Sequence, residues 1–410
     1  MARFGAAASA RLGLLSAVVC LPTAGSAAEL GLAAFLDRVR EQDPRVAVWR
    51  AEQTTADAEV VSAGGFENPS LAWERAHVRP GDGGAAEDDF VVTLPMEMLD
   101  LSGRRARAVR AAEAGRAAVD AQVEWARVER GADAASLYFT VLHACAVAAD
   151  AAEARGRLDT LAADLRARVA AGDAAAFDAD RLDAEVAVFT DEAQDATTRC
   201  ESGQLRLGGE VGLDRVRPTE PLVLPATAAV VETAPADPDH PGLVAARAER
   251  AAAAEVRARA DRAWVPPIRL IGGARRVDDD LGYIAGLTLD LPLSSPEPGE
   301  AERAAARVAR SEAALGTEER RLAVEVSAAA WALSGRRAAA ARAEAHRAQA
   351  EALLPRAVSA WREGERSLVE LLDTQRQVYQ ARLRVLDRQL AVRLADIHLN
   401  RARGRAPETR

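Results

Sequence analysis

The sequence predicts a mainly α-helical chain with a small β part, built from two copies of one pattern: a helix, two strands and a long helical hairpin. Three observations carry this. The composition is that of long helices, rich in Ala, Arg, Glu and Leu with only 4% aromatic residues. Breaker residues recur at a fixed offset, so that Pro44, Pro69 and Pro95 reappear 197 positions later as Pro241, Pro266 and Pro292. Between the breakers, proline-free stretches far longer than a globular helix alternate with short segments of period two.

The chain opens on a secretory pattern. Arg3 and Arg11 precede an apolar stretch over 12–21, then Pro22 and the small residues Ala24, Gly25, Ser26, Ala27 and Ala28. That order predicts a signal peptide over residues 1–28, cut after Ala28, and an oxidising destination. Cys20 could suggest lipid attachment, but the bulky Val19 before it suits that processing poorly.

Residues 29–213 form the predicted first repeat. Pro44 opens a helix at its first turn, running to about residue 63, where Gly64 and Gly65 stop it. A helix over 102–171 would span about 105 Å. Gly172 and Asp173 break it, and a second helix returns to Gly212. A Pro-rich connector covers 214–239. The second repeat, 240–410, places a long helix over 300–363, a break at Gly364 and a return helix over 367–403. The offset shortens to 192 there, carrying Gly172 to Gly364 and Gly212 to Gly404. Pro355 is expected to kink the helix before that break. In the last helix Leu372, Tyr379, Leu383, Leu386, Leu390, Leu394 and Ile397 trace a coiled-coil seam.

The short segments read as strands. Phe90, Val92, Leu94 and Met96 alternate with Val91, Thr93, Pro95 and Glu97; Tyr283, Ala285, Leu287, Leu289 and Leu291 alternate in the same way. Their partners are 70–78 and 268–276, giving two hairpins with polar tips at 79–84 and 277–280. Strands of about ten residues match the length of tilted membrane-spanning β-strands. Four cannot close a barrel, and lipid tolerates no open edge, so membrane insertion would require several chains to share one barrel. Beyond the extreme N-terminus no membrane-crossing helix is expected.

Several chemistries are excluded or unsupported. All 53 basic residues are Arg, which removes P-loop and Schiff-base mechanisms that need a Lys. The net charge of −9 argues against nucleic acid. His77, His143, His240, His346 and His398 are scattered without ligand spacing, and no Ser–His–Asp constellation stands out. Neither an enzyme, a cofactor nor a structural metal is expected. Met96 and Met98 read as apolar barrel-edge packing. The acidic groups Glu87-Asp88-Asp89 and Asp278-Asp279-Asp280 read as solvated hairpin tips.

Cys145 and Cys200 stand level in a hairpin that turns at Gly172-Asp173, about 27 residues from the turn. Export permits a disulfide. Facing helices commonly lie about 8–10 Å apart while a disulfide needs Cα atoms within about 7 Å, though Ala144 and Ala146 would ease close approach. A bridge and a pair of buried thiols both stay open at this point.

Residues 353–404 carry a resemblance. Leu354-Pro355, the run Gly364-Glu365-Arg366-Ser367-Leu368-Val369-Glu370-Leu371-Leu372-Asp373, and Gln375 resemble the TolC-type outer-membrane efflux channels, whose duplicated layout is similar over essentially the whole mature chain. The short connector looks most similar to the heavy-metal-resistance branch. The resemblance implies a homotrimer with a shared 12-stranded barrel in outer-membrane lipid and a periplasmic α-barrel. Its implied partners are a periplasmic adaptor and an inner-membrane pump of the resistance-nodulation-division type. It further implies that Gly172 and Gly364 mark the periplasmic tip, that Trp361 and Arg366 bond Asp178 to hold the tunnel shut, and that Glu370 and Asp373 form an acidic entrance ring. Trp361 departs from the family's usual Tyr and leaves only an indole N–H. In a narrow throat the ring carboxylates would raise one another's pKa. The competing reading is a secreted periplasmic coiled-coil structural or adaptor protein without a pore, which leaves the two amphipathic hairpins unexplained.

Overall fold

The computed structural model describes residues 27–66, 68–78, 85–95, 103–223, 237–262, 268–289 and 297–407. In chain order the elements are β1 (Ala28–Leu30), α1 (Leu32–Gln42), α2 (Pro44–Gly64), β2 (Ser70–Val78), β3 (Ala85–Pro95), α3 (Arg104–Ala171), α4 (Ala176–Glu210), β4 (Val216–Pro218), α5 (Pro241–Ala260), β5 (Ile268–Val277), β6 (Asp280–Leu289), α6 (Glu297–Arg362) and α7 (Leu368–Ala402). The duplication extends to element lengths: 21 and 20 residues in α2 and α5, 68 and 66 in α3 and α6, and 35 in both α4 and α7. Both short helices begin with proline at the first position, where a missing N–H costs nothing, and both are capped by the preceding side chain, Asp43 or His240.

β2, β3, β5 and β6 make one antiparallel sheet in that order, with β3 and β5 joining the two repeats from Glu87↔Val277 to Pro95↔Arg269. The register sorts the faces. Trp73, Phe90, Ala274 and Tyr283 lie in one row, next to Leu71, Val92, Gly272 and Ala285. This apolar face is bare: Trp73 is 59% and Tyr283 86% exposed. The opposite face carries Ser70, Glu74, Asp89, Thr93, Arg275 and Thr288 together with Val91, Ile271 and Ile284. Among the described residues, nothing pairs with the outer edges of β2 and β6.

The helices pack as two hairpins, α3 on α4 and α6 on α7, with α5 lying against α3 and α6. One apolar cluster gathers Phe35, Leu36, Tyr138, Leu207 and Val216 where α1, α3, α4 and β4 meet. Tyr138 ties this region together, donating its hydroxyl to the Leu30 carbonyl at 2.7 Å and accepting from the Thr219 N–H at 3.0 Å. A second cluster fills the hairpin ends with Leu158, Leu165, Leu182, Phe189, Leu371 and Tyr379.

Several expectations are corrected. Helix α1 and the parallel pair β1–β4 were not anticipated. Glu87, Asp88 and Asp89 do not form a loop; they lie within β3, because cross-strand Arg75 and Arg275 neutralise them, Arg275 reaching Glu87 at 2.7 Å and Asp89 at 2.8 Å. By length and composition α3 does contain a window apolar enough to cross a membrane, with mean hydropathy 1.4, since Ala counts as apolar on that scale. Within the chain 33% of that window is buried. Pro355 lies inside α6, which its missing N–H does not end before Arg362. The seam of α7 is wider than the stripe read from sequence: Leu372, Tyr379 and Ile397 are buried, while Leu383, Leu386, Leu390 and Leu394 are only half-buried. Most of the signal segment with Cys20, the tip 79–84, Met96, Glu97, Met98, Leu291 and connector residues 224–236 lie outside the described residues.

Candidate functional site

The site is built where the two hairpins turn. Both long helices end in the same motif. Gly172 takes φ 85° and Gly364 φ 77°, a region that L side chains rarely adopt. The N–H of Gly172 reaches the Val169 carbonyl and that of Asp173 the Arg168 carbonyl; Gly364 and Glu365 repeat this with Trp361 and Ala360. These are Schellman ends, which satisfy carbonyls that the helix leaves free.

The returning helices start differently. Ala175 gives α4 no side-chain cap, and the half-buried Asp178 sits in its first turn, where a negative charge suits the helix dipole. Helix α7 begins under a capping box. The Ser367 hydroxyl accepts from the Glu370 N–H, while the Glu370 carboxylate accepts from the Ser367 N–H at 3.0 Å and its hydroxyl at 3.1 Å. Arg366 adds a bond to Glu370 at 3.0 Å. These bonds, the Ser367 backbone N–H first, hold the Glu370 carboxyl below the usual carboxylate range. Within one chain this opposes the upward shift expected from ring repulsion.

Asp373 is exposed one turn further on, 4.0 Å from Arg376. Arg376 is itself fixed by the buried Glu185 of α4, which accepts from its Nε at 2.7 Å and from its Nη2. This α4–α7 bridge escaped the sequence reading, because a Glu and an Arg 191 residues apart give no local signal. The capping box, by contrast, stands in the sequence as Ser367-Leu368-Val369-Glu370.

Trp361 is buried among Leu165, Leu182 and Leu368, with the Arg168 guanidinium 5.1 Å from its ring. Among the described residues of one chain, no hydrogen bond or ion pair joins Asp178 to Trp361 or Arg366; Arg366 is turned to Glu370. Thus the fold gathers Gly172, Asp178, Gly364, Trp361, Arg366, Glu370 and Asp373 at the hairpin ends without making the expected intrachain lock.

Further up the first hairpin, a disulfide joins Cys145 to Cys200 with Cα atoms 4.6 Å apart. The close approach comes from Gly203 rather than from Ala144 or Ala146 alone: a Cβ there would stand 2.9 Å from Val141.

Residues 236–405 match the family model of the outer membrane efflux proteins. The nickel and cobalt resistance protein CnrC of Cupriavidus metallidurans is 29% identical over 279 residues, a match spanning 66% of this chain and 66% of CnrC, about two thirds of each. Among solved structures, the outer membrane protein VceC of Vibrio cholerae superposes with a TM-score of 0.76 at 17% identity, covering 92% of this chain and 96% of VceC. The Neisseria gonorrhoeae MtrE outer membrane channel, solved in its open state, gives 0.74 at 18% identity, covering 92% and 89%. The second repeat therefore matches the outer membrane efflux protein model, and the chain shares the fold of these solved structures over 92% of its length.

Proposed function

We propose that this chain is the outer-membrane exit duct of a tripartite efflux system, conducting its cargo passively. One observation carries the reading: a four-stranded sheet with a bare apolar face and two unpaired edges is joined to a hairpin whose long helix α3 spans about 100 Å. Such a sheet is stable in lipid only when copies close it. Three copies give twelve strands, apolar side outward, and bring the helical hairpins together as a periplasmic tunnel. A pore-free coiled-coil protein would leave this apolar sheet in water.

Residues 1–28 direct export. A periplasmic adaptor meets the hairpin ends, and an inner-membrane pump of the resistance-nodulation-division type supplies the energy. The relative's nickel and cobalt resistance supports divalent metal cations as cargo. Glu370 and Asp373, exposed on α7, become two rings of three carboxylates around the threefold axis. With its carboxyl held low by Ser367 and Arg366, Glu370 stays charged as cations pass. Asp178, unbonded to Trp361 and Arg366 within its own chain, meets these residues across the boundary between neighbouring copies and closes the entrance. The family is of duct type, and no catalytic step is needed.

Planar-bilayer recording tests this. The assembled protein conducts with cation preference and is blocked by trivalent cations, and Glu370→Gln with Asp373→Asn reduces both. Unchanged selectivity and block in a correctly assembled double variant would reduce these carboxylates to solvated helix charges.

A further inference from the structure

The first hairpin carries a covalent tie that the second lacks. Cys145 and Cys200 are half-buried, and Gln204 lies over their bond, its side-chain amide 3.4 Å from one sulfur and 3.6 Å from the other. Helices in ordinary contact lie about 8–10 Å apart, so the 4.6 Å Cα separation marks a specially close crossing, with Gly203 seated on Val141. At the same level of the second hairpin, counted from Gly364, stand Arg337 and Val392. There Arg337 faces Asp396 across 3.8 Å, a half-exposed ion pair that permits sliding.

Below the bond, roughly forty ångströms of each helix run to the turn. Their contact mixes small groups, Ala151, Ala154, Ala162, Ala193 and Ala196, with Leu158, Leu165, Leu182 and Phe189, and an exposed ion pair from Arg166 to Asp183 crosses it. Surfaces of this kind can repack after one helix slips by a turn, about 5.4 Å. We propose that the Cys145–Cys200 bond is a redox-sensitive register lock: it fixes α4 along α3, and with it the height of Asp178 at the tip, so that reduction frees α4 and loosens the closed entrance. The register lock stands on the hairpin alone; its link to the entrance rests on the channel reading above. With a dithiol reductant, one thiolate attacks a cysteine sulfur to form a mixed disulfide, and the second displaces it. The reductant leaves as its own disulfide, and each cysteine takes up one electron and one proton.

The test compares the full assembly in detergent when oxidised, reduced with dithiothreitol and re-oxidised, alongside Cys145→Ser with Cys200→Ser. Hydrogen exchange across 150–195 should rise about tenfold or more on reduction and in the double variant. Exchange across 300–335, in the part of α6 remote from α4, should stay put, and re-oxidation should restore the wild type alone. Should the double variant fail to assemble, the reduction and re-oxidation cycle still decides. Equal protection in all forms would overturn the lock, as would two reactive thiols in the denatured, unreduced protein. In bilayers, reduction should raise the closed-state current of wild type and leave the double variant unchanged. Altered exchange with a redox-independent current would overturn the link to the entrance. Altered exchange with no current in any form would sink the channel reading and leave the register lock standing.

Discussion

Helices α4 and α7 follow the same Schellman turn, yet one starts bare at Ala175 and the other under the Ser367–Glu370 box. The same divergence recurs at the helices that open each repeat. Asp43 caps α2 and is buried at 5% exposure, bonded to Arg130 (8% exposed), which also bonds Glu210. Its counterpart His240 caps α5 with Nδ1 accepting from the Gly242 N–H at 3.0 Å, its ring 4.9 Å from Trp125. Duplication has kept the backbone and replaced the chemistry that holds it. The first repeat relies on a buried charge network and a disulfide; the second relies on a neutral imidazole and a polar cap.

Breaking the charge network should have the largest effect. Arg130→Ala leaves Asp43 buried without its main partner and should cost about 3–5 kcal/mol, whereas His240→Asn keeps a side-chain acceptor at the cap and should cost about 1–2 kcal/mol. Denaturant titration of the detergent-solubilised protein compares them, and equal losses would dissolve the contrast. Next comes helix spacing. Gly203→Ala drives a methyl into Val141 and should destabilise by about 1–3 kcal/mol while lowering disulfide yield. Gly335→Ala, in α6 with open space at the added carbon, should instead stabilise by about 0.5–1 kcal/mol. Of similar size, Ser367→Ala should cost about 1 kcal/mol, and Ala175→Ser should gain a part of that; hydrogen exchange in the first turns of α7 and α4 reads both.

Acid sharpens the comparison. Burial, opposed by neighbouring Glu318 and Glu325 and aided by Arg321, pushes the His240 pKa below 6.5. The folded protein therefore binds this proton more weakly than the unfolded chain, and stability is lost as pH falls below 6.5. Burial alone would raise Asp43, but hydrogen bonds from Arg130 and the Arg45 N–H outweigh it and hold the carboxyl below 3.8. Its contribution therefore persists to lower pH and fades only beneath 3.8. Exchange at the start of α5 should rise before that at the start of α2 as pH is lowered. The reverse order would contradict the assignment.

Much of this was legible in the residues. Gly172 and Gly364 marked the turns because only a residue free of Cβ takes their φ at little cost, and period two exposed the strands because one face is bare. Helix α1 was missed because eleven residues beside a signal sequence give little periodic signal, and β1 and β4 because three residues give none. The site divides in the same way. The capping box is local and could have been found, whereas Glu185 under Arg376, and Trp361 turned into the core beside Arg168, follow from tertiary packing. Arg393 is a further case: it donates to the carbonyls of Pro221, Leu222 and Val223 and pins the start of the connector to α7.

The central claim is that one chain supplies a third of a barrel. Native mass spectrometry of the detergent-extracted protein measures this directly. A trimer that survives release from the micelle is the predicted result, since four strands with two open edges have no stable place in lipid by themselves. A stable monomer that resists carbonate extraction from the membrane would contradict the account.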